Sequence, residues 1–163
     1  MLVKQSGEVR AYAGLSNKEE MVMLRILVPI DGSPNALRAL RHAVKTLNNQ
    51  GGAIHLLHVR APYDGYGMVG AYLPPSRQQR DAMDAAKAAL KPAEALLKRA
   101  GVCGSSRIVS GAVAGSIAAE VRRQRCNAIV MGSRGLGAIG SLVLGSVATE
   151  VIHLVKVPVT LVK

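Results

Sequence analysis

The residue pattern of this chain predicts an α/β fold, an open doubly wound sheet of five parallel strands with helices on both faces. Three observations carry the expectation. Short aliphatic runs alternate with longer segments whose apolar residues recur at helical spacing, in the order β-α-β-α-β-α-β-α-β. Apolar residues make up 49% of the chain and are mainly Ala, Val, Leu and Ile, with no Phe or Trp, which suits strands buried on both sides. Strands joined by helices must run parallel, with right-handed crossovers. At 163 residues the chain is long enough for one domain with its own core, needing no metal or disulfide staple.

Residues 1–22 show no convincing period and carry loop signals at Ser6-Gly7, Gly14 and Ser16-Asn17, so they read as a weakly ordered extension ahead of a domain at 23–163. Leu24 to Ile30 is the first strand. Ser33-Pro34 is a helix start, a side-chain cap followed by a residue whose φ is already helical. The first helix spans about 34–49, with Leu37, Leu40, Ala43, Val44 and Leu47 on one face, and stops at the Asn48–Gly52 turn. Ala53 to Val59 is the second strand. The Pro- and Gly-rich stretch 61–77 reads as a long loop, and 78–100 as an Ala-rich helix with a kink expected at Pro92. Ser106–Ser110 is the third strand, 115–125 the third helix and Ala128–Met131 the fourth strand. A Gly-rich loop leads to a helix at 141–155, and Val157–Val162 closes the sheet, with Pro158 marking it as an edge strand.

A net charge of +11 raises the question of an anionic partner. In residues 1–23, Lys4, Arg10 and Lys18 are balanced by Glu8, Glu19 and Glu20. Elsewhere the basic side chains are scattered over the helices, and Arg122, Arg123 and Arg125 form the densest group. The four aromatic residues are all Tyr and none is interleaved with a basic stripe, so a stacking surface for nucleic acid is not expected. No segment reaches the roughly 20 apolar residues of a bilayer span, and no secretory signal core opens the chain. A cytosolic protein is expected, with Cys103 and Cys126 as reduced thiols.

In doubly wound sheets ligands bind beyond the carboxyl ends of the strands, where strand order reverses. Three loops leave such ends here, at Pro29–Ser33, Gly111–Gly115 and Gly132–Ser146. The third is the sharpest signal, with glycines at 132, 135, 137, 140 and 145. Glycine lets backbone N–H groups approach an anion closely, and a helix N-terminus adds partial positive charge. Ser133, Ser141 and Ser146 can add hydroxyl donors and Arg134 a charge, so the loop suits a polyphosphate. The Walker pattern is absent. Gly135-Leu136-Gly137-Ala138-Ile139-Gly140 matches GxGxxG, but it follows the fourth strand rather than the first, so a dinucleotide site is not inferred. His58 reads as a strand histidine with a satisfied ring, and His42, His55 and His153 are too scattered in sequence for a metal triad.

Gly132-x2-Gly135-x9-Gly145-Ser146 resembles the G-x2-G-x9-G-[ST] pattern of the ATP-binding branch of the universal stress protein family. Ile26–Ser33, Leu57-His58-Val59 and Val157–Val162 resemble that family's opening strand and turn, second strand and closing strand, so the likeness spans about 23–163. The resemblance implies a Rossmann-like fold of the adenine nucleotide α-hydrolase type, with ATP between the first and fourth strands. Carried over residue by residue, it places Pro29, Ile30 and Asp31 along the nucleoside and Val59 against adenine. Met131 and Gly132 would flank the ribose, Gly135 would open the phosphate loop, and Gly145, Ser146 and Val147 would hold phosphates. Arg134 is a candidate phosphate contact, and Asp31 a candidate Mg²⁺ ligand. Some members carry a hydroxyl two residues after that Ser, where this chain has Ala148 followed by Thr149. AMP or cyclic AMP would suit the same pocket, because the glycines do not count phosphates.

No catalytic triad or Cys–His pair stands out. The expected function is therefore a stress-response nucleotide-binding regulator or sensor with weak or absent hydrolysis. A slow ATP hydrolase or phosphotransfer enzyme is one alternative, and a nucleotide-free interaction protein using its basic surface is another. The resemblance also implies a homodimer, expected through the closing strand at 157–163.

Overall fold

The computed structural model describes residues 23–48, 51–60, 75–135 and 144–163. The expected extension at 1–22, most of the expected loop at 61–77, and Gly137, Gly140 and Ser141 lie outside the described residues. The strands are β1 (Leu24–Pro29), β2 (Gly52–Arg60), β3 (Gly104–Ser110), β4 (Ala128–Gly132) and β5 (Val159–Val162). The helices are α1 (Pro34–Asn48), α2 (Pro75–Ala100), α3 (Val113–Arg123) and α4 (Ser146–Leu154). All strand pairs are parallel, in the order β3-β2-β1-β4-β5. Strand order therefore reverses at β1, and β5 lies at an edge, as the sequence predicts.

The helix ends follow from local chemistry. The buried Ser33 Oγ accepts the Ala36 N–H at 3.1 Å, and Pro34 fills the first helical position, so α1 starts as predicted. Beyond α1, Gly52 has φ +141° and a Cβ there would lie 2.0 Å from the Leu24 carbonyl, so only glycine fits where β2 begins beside β1. The helix expected to start at 78 instead starts at Pro75. A proline that reads as a loop signal is equally good at the first helical position, where its missing N–H is not needed. The helix then runs unbroken through Pro92 to Ala100. The third helix ends at Arg123, because Arg125 turns left-handed (φ 50°) while the Cys126 N–H returns to Val121 O and the Arg125 N–H to Arg122 O. That turn normally takes glycine, so its signal was hidden in the sequence. The last helix begins at Ser146 and ends at Leu154, later and shorter than the expected 141–155, since Leu144 and Gly145 are not helical.

Alternation along the strands sorts the core into two layers. On one face, α1 and α2 cover Ile26, Val28, Ile30, Ile54, Leu56 and Val130. On the other, α3 and α4 cover Leu27, Leu57, Ile129 and Met131. The buried charge on α3 is Glu120, which accepts hydrogen bonds from Arg123 Nε at 2.9 Å, Gln124 Nε2 at 3.1 Å and Arg107 Nη1 at 3.3 Å. Arg123 leads in holding its carboxyl below the usual carboxylate range, against the opposing effect of burial. Cys126 is buried and its thiol is pushed up to about 11, chiefly by burial, whereas Cys103 is exposed, and both are free. No described helix is long and apolar enough to cross a membrane.

Two predictions follow from this packing. Leu27 is fully buried, so Leu27→Ala should lower unfolding free energy by about 2–5 kcal/mol in urea titrations. Because the folded Glu120 has a depressed pKa, its contribution is fully present above the ordinary carboxyl pKa and is lost as pH falls through the lower, folded value. Glu120→Gln should therefore lower stability at neutral pH and flatten the acid limb of a stability–pH curve. An unchanged acid limb would show that the carboxylate's pairing does not contribute.

Candidate functional site

Backbone hydrogen-bonding groups along a strand point alternately to its two neighbours. The Ile30 N–H bonds the Leu57 carbonyl at 2.8 Å, so the even residues of β1 face β2. The Asn127 N–H bonds the Arg25 carbonyl at 3.0 Å, so the odd ones face β4. Pro29 is odd and has no N–H to give. The recorded β1–β4 register ends at Leu27↔Ile129, while the β1–β2 register continues to Pro29↔Leu57. The sheet is thus unlaced between β1 and β4 at their carboxyl ends, at the point where strand order reverses.

A cavity of about 330 Å³ opens there, near the lower end of the roughly 300–1,000 Å³ common for small-ligand sites. It is lined by Pro29, Ile30 and Asp31 after β1, Val59 on β2, Met131, Gly132, Arg134 and Gly135 at and after β4, and Gly145, Ser146 and Val147 at the start of α4, all of them candidate ligand contacts from the sequence. One wall is aliphatic, made by Leu57, Val59, Val113, Ile117 and Met131. The Gly132–Gly135 turn and the N-terminus of α4 also line the cavity. Gly145 caps that helix with no side-chain hydrogen bond, so its N-cap residue leaves the first N–H groups of α4 uncapped. An apolar slot leading to such an end suits a planar heterocycle carrying an anionic group.

The glycines here act by giving room. Gly132, Gly135 and Gly145 are not among the positive-φ residues. A Cβ at Gly135 would lie 2.6 Å from Asp31 Oδ2, and one at Gly132 would lie 3.0 Å from both the Arg134 carbonyl and Asn35 Cβ. The Gly145 N–H donates to the Ser133 carbonyl at 2.9 Å, stitching the two ends of the Gly-rich segment together. Asp31 Oδ1 accepts the Ser33 N–H at 2.9 Å, which turns this carboxylate back over the start of α1. His58 is not a cavity residue; its ring Nδ1 lies 2.8 Å from the Ile30 carbonyl, which makes that nitrogen the donor and gives it a backbone partner.

Ser133, expected as a hydroxyl donor, also lines the cavity, whereas sequence reasoning assigned no ligand contact to Ser33, Ala36, Leu57, Val113, Ile117 and Ala148, which line it too. Ser33 and Ser133 were visible as a cap and as a hydroxyl donor. The Gly111–Gly115 loop was noted, but nothing in its residues said that Val113 and, one turn on, Ile117 would close the apolar wall. Thr149 does not replace the hydroxyl missing at Ala148, since its Oγ1 donates to the Gly145 carbonyl at 3.2 Å. Among the described residues no three His, Cys, Asp or Glu side chains converge on a metal position, and Asp31 is the acidic residue at the cavity.

The model of the universal stress protein family matches residues 23–163. A relative, universal stress protein MJ0531 of Methanocaldococcus jannaschii, is 27% identical over 146 residues, covering 88% of this chain and 84% of its own length. The solved structure of the protein MJ0577 superposes with a TM-score of 0.75 at 26% identity, covering 86% of this chain and 95% of the other. A universal stress protein solved in complex with cAMP superposes with a TM-score of 0.54 at 25% identity, covering 86% of this chain and 96% of the other.

Proposed function

This chain belongs to the universal stress protein family, and from that premise we propose that it is an ATP-binding member acting as a stress-response sensor or regulator. The observation that carries the reading is the convergence of four separated segments, the β1 end, the β2 end, the Gly132–Gly135 turn and the α4 start, on one cavity lined by both aliphatic side chains and the glycine turn. Adenine would lie against Val59 and the neighbouring aliphatic wall, the ribose by Met131 and Gly132, and the phosphates at the N–H groups of Gly145, Ser146 and Val147. Arg134 would add charge beside the phosphates. Mg²⁺ fits a site with one carboxylate, since this ion commonly takes one or two carboxylates plus substrate phosphates and water. Asp31 would hold it.

The same geometry favours binding over turnover. Among the described residues Asp31 is the single acidic group at the cavity, and no second base lines it to activate a water. With Ala148 in place of a hydroxyl, the phosphate end has one donor fewer, which keeps AMP and cyclic AMP as competing ligands; a relative solved with cAMP supports testing them. We place the protein in the cytosol, with residues 23–163 as its nucleotide-binding domain and 1–22 as an extension to it.

A homodimer through 157–163 completes the proposal. The Ile129 N–H bonds the Pro158 carbonyl and the Ser133 N–H bonds the Val162 carbonyl, so even residues of this segment face β4 and Val159 and Leu161 face the open edge. Ile152 and Leu154 of α4 are exposed apolar residues. An open edge strand is covered economically by a twofold copy.

Calorimetric titration with MgATP should show saturable binding at one site per chain. Gly135→Val should abolish it, because its Cβ displaces the Asp31 carboxylate. Absence of binding by ATP, AMP and cyclic AMP alike would refute the reading. In sedimentation, Val159→Pro, which removes an outward-facing N–H and leaves the β4 ladder intact, should shift the protein from dimer to monomer; an unchanged sedimentation coefficient would rule out this edge.

A further inference from the structure

We infer that Asn35 is the positioning residue for the Gly132–Gly135 turn, and that Arg38 ties it to the end of β5; the inference rests on the nucleotide reading above for what the turn holds. Asn35 is the second residue of α1, half-buried and not part of the cavity lining. Its Nδ2 donates to the Arg134 carbonyl at 3.1 Å. Its Cβ sits against Gly132, at 3.0 Å from where a Cβ would stand. One turn along, Arg38 donates from Nη2 to Asn35 Oδ1 and from Nε to the Lys163 carbonyl at 3.0 Å.

The chemistry of these partners leaves the amide one orientation. A guanidinium only donates, so it must meet the amide oxygen; a carbonyl only accepts, so it must meet the amide nitrogen. Flipping Asn35 would set two donors and two acceptors against each other. Arg38 thus fixes the donor that holds Arg134. The Val162 carbonyl holds the same turn directly, accepting the Ser133 N–H at 2.8 Å. The carboxyl end of β5 therefore grips the turn twice, once at Ser133 and once through Arg38 and Asn35. A displacement of the β5 end reaches the turn by both routes, at the Ser133 N–H and at the Arg134 carbonyl.

Hydrogen exchange of the ligand-free protein tests this without assuming a ligand. Asn35→Asp keeps the shape, the packing on Gly132 and a partner for Arg38, but replaces the donor toward Arg134 with an acceptor. It and Asn35→Ala should each speed exchange at the Ser133 and Gly145 amides, which donate to the Val162 and Ser133 carbonyls, by about threefold to tenfold, one net hydrogen bond's worth. The β2 and β3 amides should not change. Arg38→Ala should act at the same amides, less strongly, because the amide is then free to swivel. Unchanged exchange at the turn in Asn35→Asp would overturn the inference, as would an equal rise across the whole sheet, which marks general destabilisation. Titration with MgATP follows on the same samples, and the Asn35 variants should bind more weakly by a similar factor. If the unaltered protein binds no nucleotide while the exchange pattern appears, the nucleotide reading fails and the positioning role stands.

Discussion

The ladder between β1 and β4 is the interaction on which the rest of this structure depends. It joins two strands that lie about a hundred residues apart in the chain, and it is kept short by Pro29, which has no N–H to offer β4. A longer ladder would carry the sheet up through the space the cavity occupies. A shorter one would leave β4 and β5 without their link to the other three strands. Arg25 secures the opposite end of the same ladder, with its N–H on Asn127 Oδ1 at 2.9 Å and its carbonyl on the Asn127 N–H. The two strands are fastened at their amino ends and part at their carboxyl ends.

Most of this arrangement was legible in the residues. Helical spacing and aliphatic runs predicted the nine described elements and the capping Ser33 the start of α1, while β5 lies at the edge although Pro158 precedes it and faces β4. The resemblance supplied the cavity residues, and the structure brings every one of them to the same place. What was not legible has identifiable causes. Pro75 is read as a breaker in a loop of prolines and glycines, yet at the first helical position it is favourable. Arg125 carries out a left-handed turn that local sequence assigns to glycine. Val113 and Ile117 look like any core residues of an amphipathic helix, and only the packing of α3 beside β2 aims them at the cavity. Asn35 and Arg38 look like solvated helix residues; their roles exist only because α1 passes both the β4 turn and the end of β5.

The strong positive charge belongs mostly to the surface, but it is not idle everywhere. Arg107 and Arg123 converge on Glu120 and tie β3 to α3 where the sheet's other edge would be loosely held. The exposed members of such pairs contribute little individually, while the buried carboxylate they surround would be costly without them. Arg38 uses its charge to orient an amide rather than to meet an acid. These arginines fasten elements together, so the composition overstates the charge left to attract an anionic partner.

The double grip of β5 on the Gly132–Gly135 turn also bears on when the cavity comes into being. β5 follows every other element in the chain, and its contacts to α1 span 125 residues at Arg38 and Lys163. Closing such a distance has a large entropic cost that earlier, more local pairings do not share. During synthesis the sheet from β1 to β4 can assemble while the turn is still unsupported. The cavity therefore gains its support for the Gly132–Gly135 turn only when β5, the last described strand, docks on β4.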